Sequence, residues 1–228
     1  MKSKNGIPLS GTIQNGNILD YILDALKKIP IDLGQGSHRY TTKGKMIALS
    51  LVPRGEGKSA LDVGCEEGVQ TRWLEGKGYS VTGIDVKKIY EKALVVDVNH
   101  PLPFPDGSFD LLWCSEVIEH LQDPSRTVGE FRRVLKPGGK MILTTPNSFF
   151  WFFRIMVLIG LTQKRLQNQE HTYFFHIRDI RALFPDAHLY GYFPYVLLKC
   201  TIQRFLSLLT PTFVIEEEKS QGLLYTVD

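Results

Sequence analysis

Glu116, Glu119 and His120 place two carboxylates and an imidazole at spacings of i, i+3 and i+4. On a helix these three share one face. Such a set can serve as general acid and base, or offer ligands to a divalent ion, and it can equally serve only helix capping and hydrogen bonding. Upstream, Leu61-Asp62-Val63-Gly64-Cys65-Glu66-Glu67-Gly68 is followed by Val81-Thr82-Gly83-Ile84-Asp85. That order reads as a strand, a Gly-rich turn, a helix and a second strand closed by a carboxylate, the layout of a nucleoside-cofactor site. Glycine lets the backbone turn sharply beside a ligand, the helix start presents free N–H groups, and the closing acid can accept from ribose hydroxyls. A dinucleotide fingerprint begun at Gly64 needs glycine at 66 and 69, where the chain has Glu66 and Val69. The pattern acid-x-Gly-x-Gly-x-Gly begun at Asp62 is met at Gly64 and Gly68 and missed only at Glu66.

These residues need an open sheet to hold them, and residues 58–147 alternate short apolar strands with helical stretches, which predicts a parallel sheet with right-handed crossovers. Val95-Val96-Asp97 and Pro101 to Asp110 read as a third strand, a loop and the entry to a fourth strand. Leu111-Leu112-Trp113-Cys114-Ser115 continues that strand, and Phe131 to Lys140 leads through a turn into Met141-Ile142-Leu143-Thr144-Thr145-Pro146-Asn147. In this order the motifs resemble the class I S-adenosylmethionine (SAM) dependent methyltransferases, in particular the small-molecule branch with the ubiquinone-type O-methyltransferases. The resemblance implies a Rossmann-like α/β fold: a mostly parallel sheet with helices on both faces, an antiparallel C-terminal hairpin, and an apolar helical insertion after the fifth strand.

It also implies roles. Asp62, Gly64, Cys65 and Gly68 would surround the methionine part of SAM, Asp85 would take the ribose hydroxyls, and Asp97 and Val98 match the adenine loop. Cys114 and Ser115 would lie under the methionine end, although Cys114 taken alone reads as a small core residue. Glu116, Glu119 and His120 match a Glu-x-x-Glu-His element to which this branch gives a metal role, so a divalent ion such as Mg2+ joins SAM as an expected cofactor. Glu116, His120 and His171 are the candidate catalytic residues. His171 lies in Glu170-His171-Thr172-Tyr173-Phe174-Phe175, similar to an element that shapes the acceptor pocket, whereas His176 reads as a helix cap. Glu66 departs from the family glycine. Left-handed backbone there costs about 1–2 kcal/mol, and its carboxylate either faces the cation of SAM or points to solvent.

The 228 residues fit one domain with a small appendage. The reading divides them into an N-terminal helical cap at 1–57 and a methyltransferase domain at 58–228, with 148–185 as a substrate-side insertion. Residues 17–29 carry helical periodicity, and a second helix is expected from about Thr42 to Leu51. The connection from Asp85 to Leu94 is short for the family and predicts a thinly covered sheet face. A net charge of +3 with no Lys/Arg stripe gives no reason to expect nucleic acid. Three cysteines without framework spacing suit a reducing compartment, and the polar opening residues show no secretory signal, so a cytoplasmic protein is expected. Phe149 to Leu161 is strongly apolar but carries Arg154 and is shorter than the roughly 20 residues a bilayer span needs. It reads as core, as a lid, or as a surface that meets a lipid-like acceptor or a membrane interface. The expected activity is methyl transfer to a small, apolar or lipid-like acceptor at oxygen, with nitrogen and carbon acceptors left open. A saccharide or natural-product methyltransferase and a non-catalytic SAM-binding scaffold are the alternatives.

Overall fold

Alternation along the strands separates two apolar layers, and among the described residues the sheet they enclose has eight strands, numbered in chain order and arranged β3-β2-β1-β4-β5-β8-β6-β7. The computed structural model describes residues 42–158, 171–193 and 200–220, all of them inside one compact unit, Ile31–Asp228. The helix expected at residues 17–29 lies outside the described residues. β1 (Ser59–Val63), β2 (Ser80–Asp85), β3 (Leu94–Val95), β4 (Phe109–Ser115) and β5 (Leu135–Pro146) are parallel. β8 (Thr212–Glu218) runs antiparallel between β5 and β6 (His188–Tyr192), and β7 (Thr201–Ile202) pairs antiparallel with β6. The mostly parallel Rossmann-like sheet with antiparallel C-terminal strands is therefore the fold of this chain.

On one face Leu61, Val63, Leu112, Met141 and Leu143 pack with Val128, Phe131 and Val134 of α3 (Pro124–Val134). On the other, Ala60, Leu111, Trp113 and Ile142 meet Ile47 and Ala48 of α1 (Lys43–Leu51) and Leu74 of α2 (Val69–Gly76). Full burial of a side chain such as Phe131 contributes roughly 1.5–3 kcal/mol. The starts of α1 and α3 are specified by side-chain caps. Thr42 caps α1 by accepting from the Lys45 amide at 3.3 Å, and Asp123 caps α3 by accepting from the Arg126 amide at 3.0 Å, with Pro124 in the first turn.

Residues 86–93 contain only bends and a turn, and Val86, Ile89, Leu94 and Val95 are all exposed there, as the shortness of the connection predicts. After β5 comes α4 (Trp151–Leu158), within the apolar stretch that begins at Phe149. α5 (Ile177–Leu183) precedes β6, and α6 (Leu206–Leu209) lies between β7 and β8. Among the described residues no helix is long and apolar enough to cross a membrane.

Candidate active site

The C-terminal ends of β1, β2 and β4 meet at the Gly-rich turn, where an open parallel sheet binds its ligands. Gly64 (φ +73°) and Gly68 (φ +72°) both adopt left-handed backbone, and a Cβ on Gly64 would collide with Val117 Cγ2. Glu66 is also left-handed, at φ +43°, so the departure from glycine does carry the strain expected of it, and the residue is exposed. The Asp85 carboxylate holds this turn: Oδ2 accepts from the Glu66 amide at 2.9 Å and Oδ1 from the Lys87 amide at 3.1 Å. Each oxygen keeps a lone pair, so Asp85 can still accept from a ribose diol. Two left-handed glycines and a half-exposed acid at the second strand end fit the nucleoside and methionine parts of SAM.

Asp62 sits one layer deeper. It is almost fully buried, accepts from Thr71 Oγ1 at 2.5 Å, and so ties the end of β1 to the first turn of α2. Burial raises its carboxyl to about 6, against the opposing effects of the Thr71 bond and the Lys45 charge. The Cys65 thiol is pushed up to about 12 by burial and by the nearby Asp62 and Asp85 charges, so it is a packing group and not a nucleophile. The side chain of Cys114 is fully buried in the apolar core and its thiol is likewise raised, while Ser115 Oγ bonds Thr144 Oγ1 at 2.8 Å. Asp97 accepts from the amide and side chain of Asn99, both at 2.9 Å, and Val98 is buried. That loop is braced by the Gln122 amide donating to Asn99 Oδ1 at 2.8 Å and by Thr127 Oγ1 donating to the Val98 carbonyl at 3.1 Å.

Glu116, Glu119 and His120 do not share a helix face, which corrects the periodicity reading. Glu116 follows β4 with left-handed backbone, φ +58°, and only Ile118–His120 form a single 3-10 turn. The consecutive β-branched Val117 and Ile118 disfavour α-helix here. Glu116 Oε1 accepts from Thr144 Oγ1 at 2.9 Å. Glu119 is buried, accepts from Thr145 Oγ1 at 3.1 Å, and leaves Oε1 without a hydrogen-bond partner among the described residues. Burial, then the Glu116 charge, raises its carboxyl well above the ordinary carboxylate range.

The 3-10 turn directs His120 against His171, ring centroids 4.8 Å apart and edge to face. The His171 segment is tied in by the Thr172 and Tyr173 amides, which both donate to the Glu119 carbonyl at 2.9 Å. One ligand atom each from Glu119, His120 and His171 lie within 4.8 Å of one another. Two imidazoles with a single carboxyl are a poor donor set for Mg2+, which wants oxygen ligands in a near-octahedral shell. Acid–base chemistry on an acceptor suits the cluster instead. His176 is a helix cap, as expected: its Nδ1 accepts from the Arg178 amide at 3.2 Å and Asp179 accepts from its amide at 2.7 Å.

Four residues were not singled out from sequence. Thr144 and Thr145 orient the two glutamates from β5. Lys45, buried on α1, has its charge close enough to act on both Asp62 and Glu119. Tyr90 lies over Gly68. The in-register pairing of β4 with β5 could have nominated the threonines, and nothing in the sequence marks Lys45 or Tyr90.

A family model described as a methyltransferase domain matches residues 37–191. The chain belongs to this family. The methyltransferase domain is 31% identical over 116 residues to a ubiquinone biosynthesis O-methyltransferase of Aromatoleum aromaticum, covering 45% of this chain and 50% of that protein. A ubiquinone biosynthesis O-methyltransferase of Thiobacillus denitrificans is 34% identical over 110 residues, covering 40% of this chain and 45% of that one. The chain thus spans about half the length of these curated relatives. Among solved structures, a SAM-dependent methyltransferase from Thermotoga maritima superposes with a TM-score of 0.61 at 17% identity, covering 89% of this chain and 96% of that one. A Haloferax volcanii methyltransferase solved with its Trm112 activator gives 0.59 at 21% identity, covering 87% and 97%. At these identities the structures establish the fold, that of the class I SAM-dependent methyltransferases.

Proposed function

We propose that this methyltransferase uses SAM to methylate a small, apolar or lipid-like acceptor at oxygen. The observation that carries this reading is the convergence of His120 and His171 over buried Glu119 at the end of β4, beside the Gly64 turn that Val117 contacts. The O-methyltransferases among the relatives above support oxygen as the accepting atom. SAM supplies a methyl group on a positively charged sulfur, a good leaving group. The protein's task is then orientation, worth roughly 7–11 kcal/mol of barrier, and removal of the acceptor proton. One imidazole takes the hydroxyl proton as the oxygen–methyl bond forms and the carbon–sulfur bond breaks, and the second imidazole shares the resulting charge. Glu119, held by Thr145 Oγ1 and by the Thr172 and Tyr173 amides on its carbonyl, fixes the 3-10 turn against the His171 segment. No step needs Mg2+.

The test is transfer of a labelled methyl group from SAM to a panel of catechols, quinol precursors, fatty acids and sugars. Labelling of phenolic or lipid-like hydroxyls supports the reading, and labelling confined to sugars transfers the site to the saccharide alternative. SAM binding with no transfer to any acceptor class makes the protein a SAM-binding scaffold.

A further inference from the structure

Phe205 is 75% exposed and has left-handed backbone, φ +55°, a conformation that is an outlier for a bulky side chain. A strained residue persists only where its surroundings over-determine it, and here they do. Asn147, fully buried at the end of β5, donates its side-chain amide to the carbonyls of Leu206 at 3.2 Å, Ser207 at 3.1 Å and Thr210 at 2.8 Å. Its Oδ1 accepts from the Phe149 amide at 3.0 Å, just before α4 begins. One buried side chain therefore fixes both the tip that presents Phe205 and the start of α4. A core residue has no need of such a device to hold a phenyl ring in water.

The neighbouring surface has matching chemistry. α4 and α6 are in contact, and Arg154 of α4 reaches Ser207 Oγ at 3.5 Å. At about 100° per residue, Arg154, Ile155, Val157 and Leu158 fall on one side of α4. All four are exposed, Leu158 by 85%, while Phe153, at the edge of that arc, is buried. Leu208 of α6 is exposed as well. Arg154 and Arg204 are the charged residues of 147–158 and 200–213, which contain no Asp or Glu.

We propose that this α4–α6 face, with Phe205 at its tip, docks on the surface of an anionic bilayer. Apolar side chains beside cations, with no acid among them, complement a headgroup layer that is negative outside and apolar beneath. A two-fold contact between copies would set these arginines against one another, so the charge pattern disfavours self-association. Docking here brings the protein to acceptors held in the bilayer but requires none of them, and it is independent of the chemistry at His120.

The experiment is flotation of the full chain with vesicles of phosphatidylcholine alone and of phosphatidylcholine mixed with phosphatidylglycerol. The wild-type protein binds the mixed vesicles more strongly, and added salt weakens that binding. Phe205→Asn is the decisive variant, because Asn tolerates left-handed backbone and the substitution relieves strain while it removes the ring. It lowers partitioning roughly tenfold, as does Leu158→Gln, with an unreduced melting temperature and unchanged SAM affinity. Arg154→Gln combined with Arg204→Gln abolishes the preference for anionic lipid. Wild-type protein that stays unbound with both vesicle types overturns the proposal, as does Phe205→Asn protein that binds like wild type. A concentration-dependent dimer that Phe205→Asn dissolves would also overturn it, by assigning the face to a second copy.

Discussion

The ring of Tyr90 rests on the Cα of Gly68, so that a Cβ built on the glycine would meet ring carbons at 2.6–2.7 Å. Arg72 lies over the same ring, 5.4 Å from its centroid. The short connection after β2, which leaves its own sheet edge exposed, is folded back to clamp the cofactor turn. Gly68→Ala should therefore lower the melting temperature and weaken SAM binding, since it adds a clash to a left-handed cost of about 1–2 kcal/mol. Adding Tyr90→Ala should recover part of the loss and leave the backbone cost. A double variant no better than Gly68→Ala alone would clear Tyr90 of this role.

Asp85 holds the turn and keeps acceptor capacity for a ligand. Asp85→Ala removes charged acceptors worth roughly 1.5–3 kcal/mol, about a ten- to hundredfold loss of SAM affinity. Calorimetry on folded variant protein measures it, and unchanged affinity would take Asp85 out of the site.

Burial raises the Asp62 carboxyl to about 6 from an ordinary 3.8. Between those values the folded protein holds a proton that the unfolded chain has lost, so stability falls as pH rises through the window. Asp62→Asn keeps an acceptor for Thr71 and cannot ionise. Denaturant unfolding at pH 4 and pH 7 should find the variant's stability relative to wild type higher at pH 7. A difference that does not change with pH would show that Asp62 ionises as freely in the folded protein as in the unfolded chain.

Thorough chelation should leave methyl transfer intact, because the cluster offers Mg2+ one carboxyl, Glu119, and two imidazoles. Loss of transfer on chelation, restored by added Mg2+, would return the cluster to a metal role.

The fold was legible because its signals are local. Gly64 and Gly68 stand where the backbone turns left-handed, Asp85 closes its strand, and apolar alternation marks β1, β4 and β5. The candidate site was legible only in its members. Spacing suggested that Glu116, Glu119 and His120 act together on a helix, yet left-handed Glu116 and the Val117-Ile118 pair break that helix and turn Glu116 toward Thr144. His120 instead meets His171, a partner 51 positions away along the chain that no periodicity connects to it. Asn147 looked like the end of a strand motif, and its bonds to Leu206 and Ser207 of α6 and to Thr210 just after it depend on a crossover invisible from either segment alone.

The central claim, that the turn binds SAM while the paired histidines serve the acceptor, is tested most directly by measuring SAM affinity and labelled-methyl turnover together in His120→Ala and His171→Ala. Each variant should bind SAM as wild type does and turn over roughly a hundredfold or more slowly, the scale of a lost general base. Turnover at the wild-type rate in both variants, or wild-type protein that fails to bind SAM at all, would contradict the account.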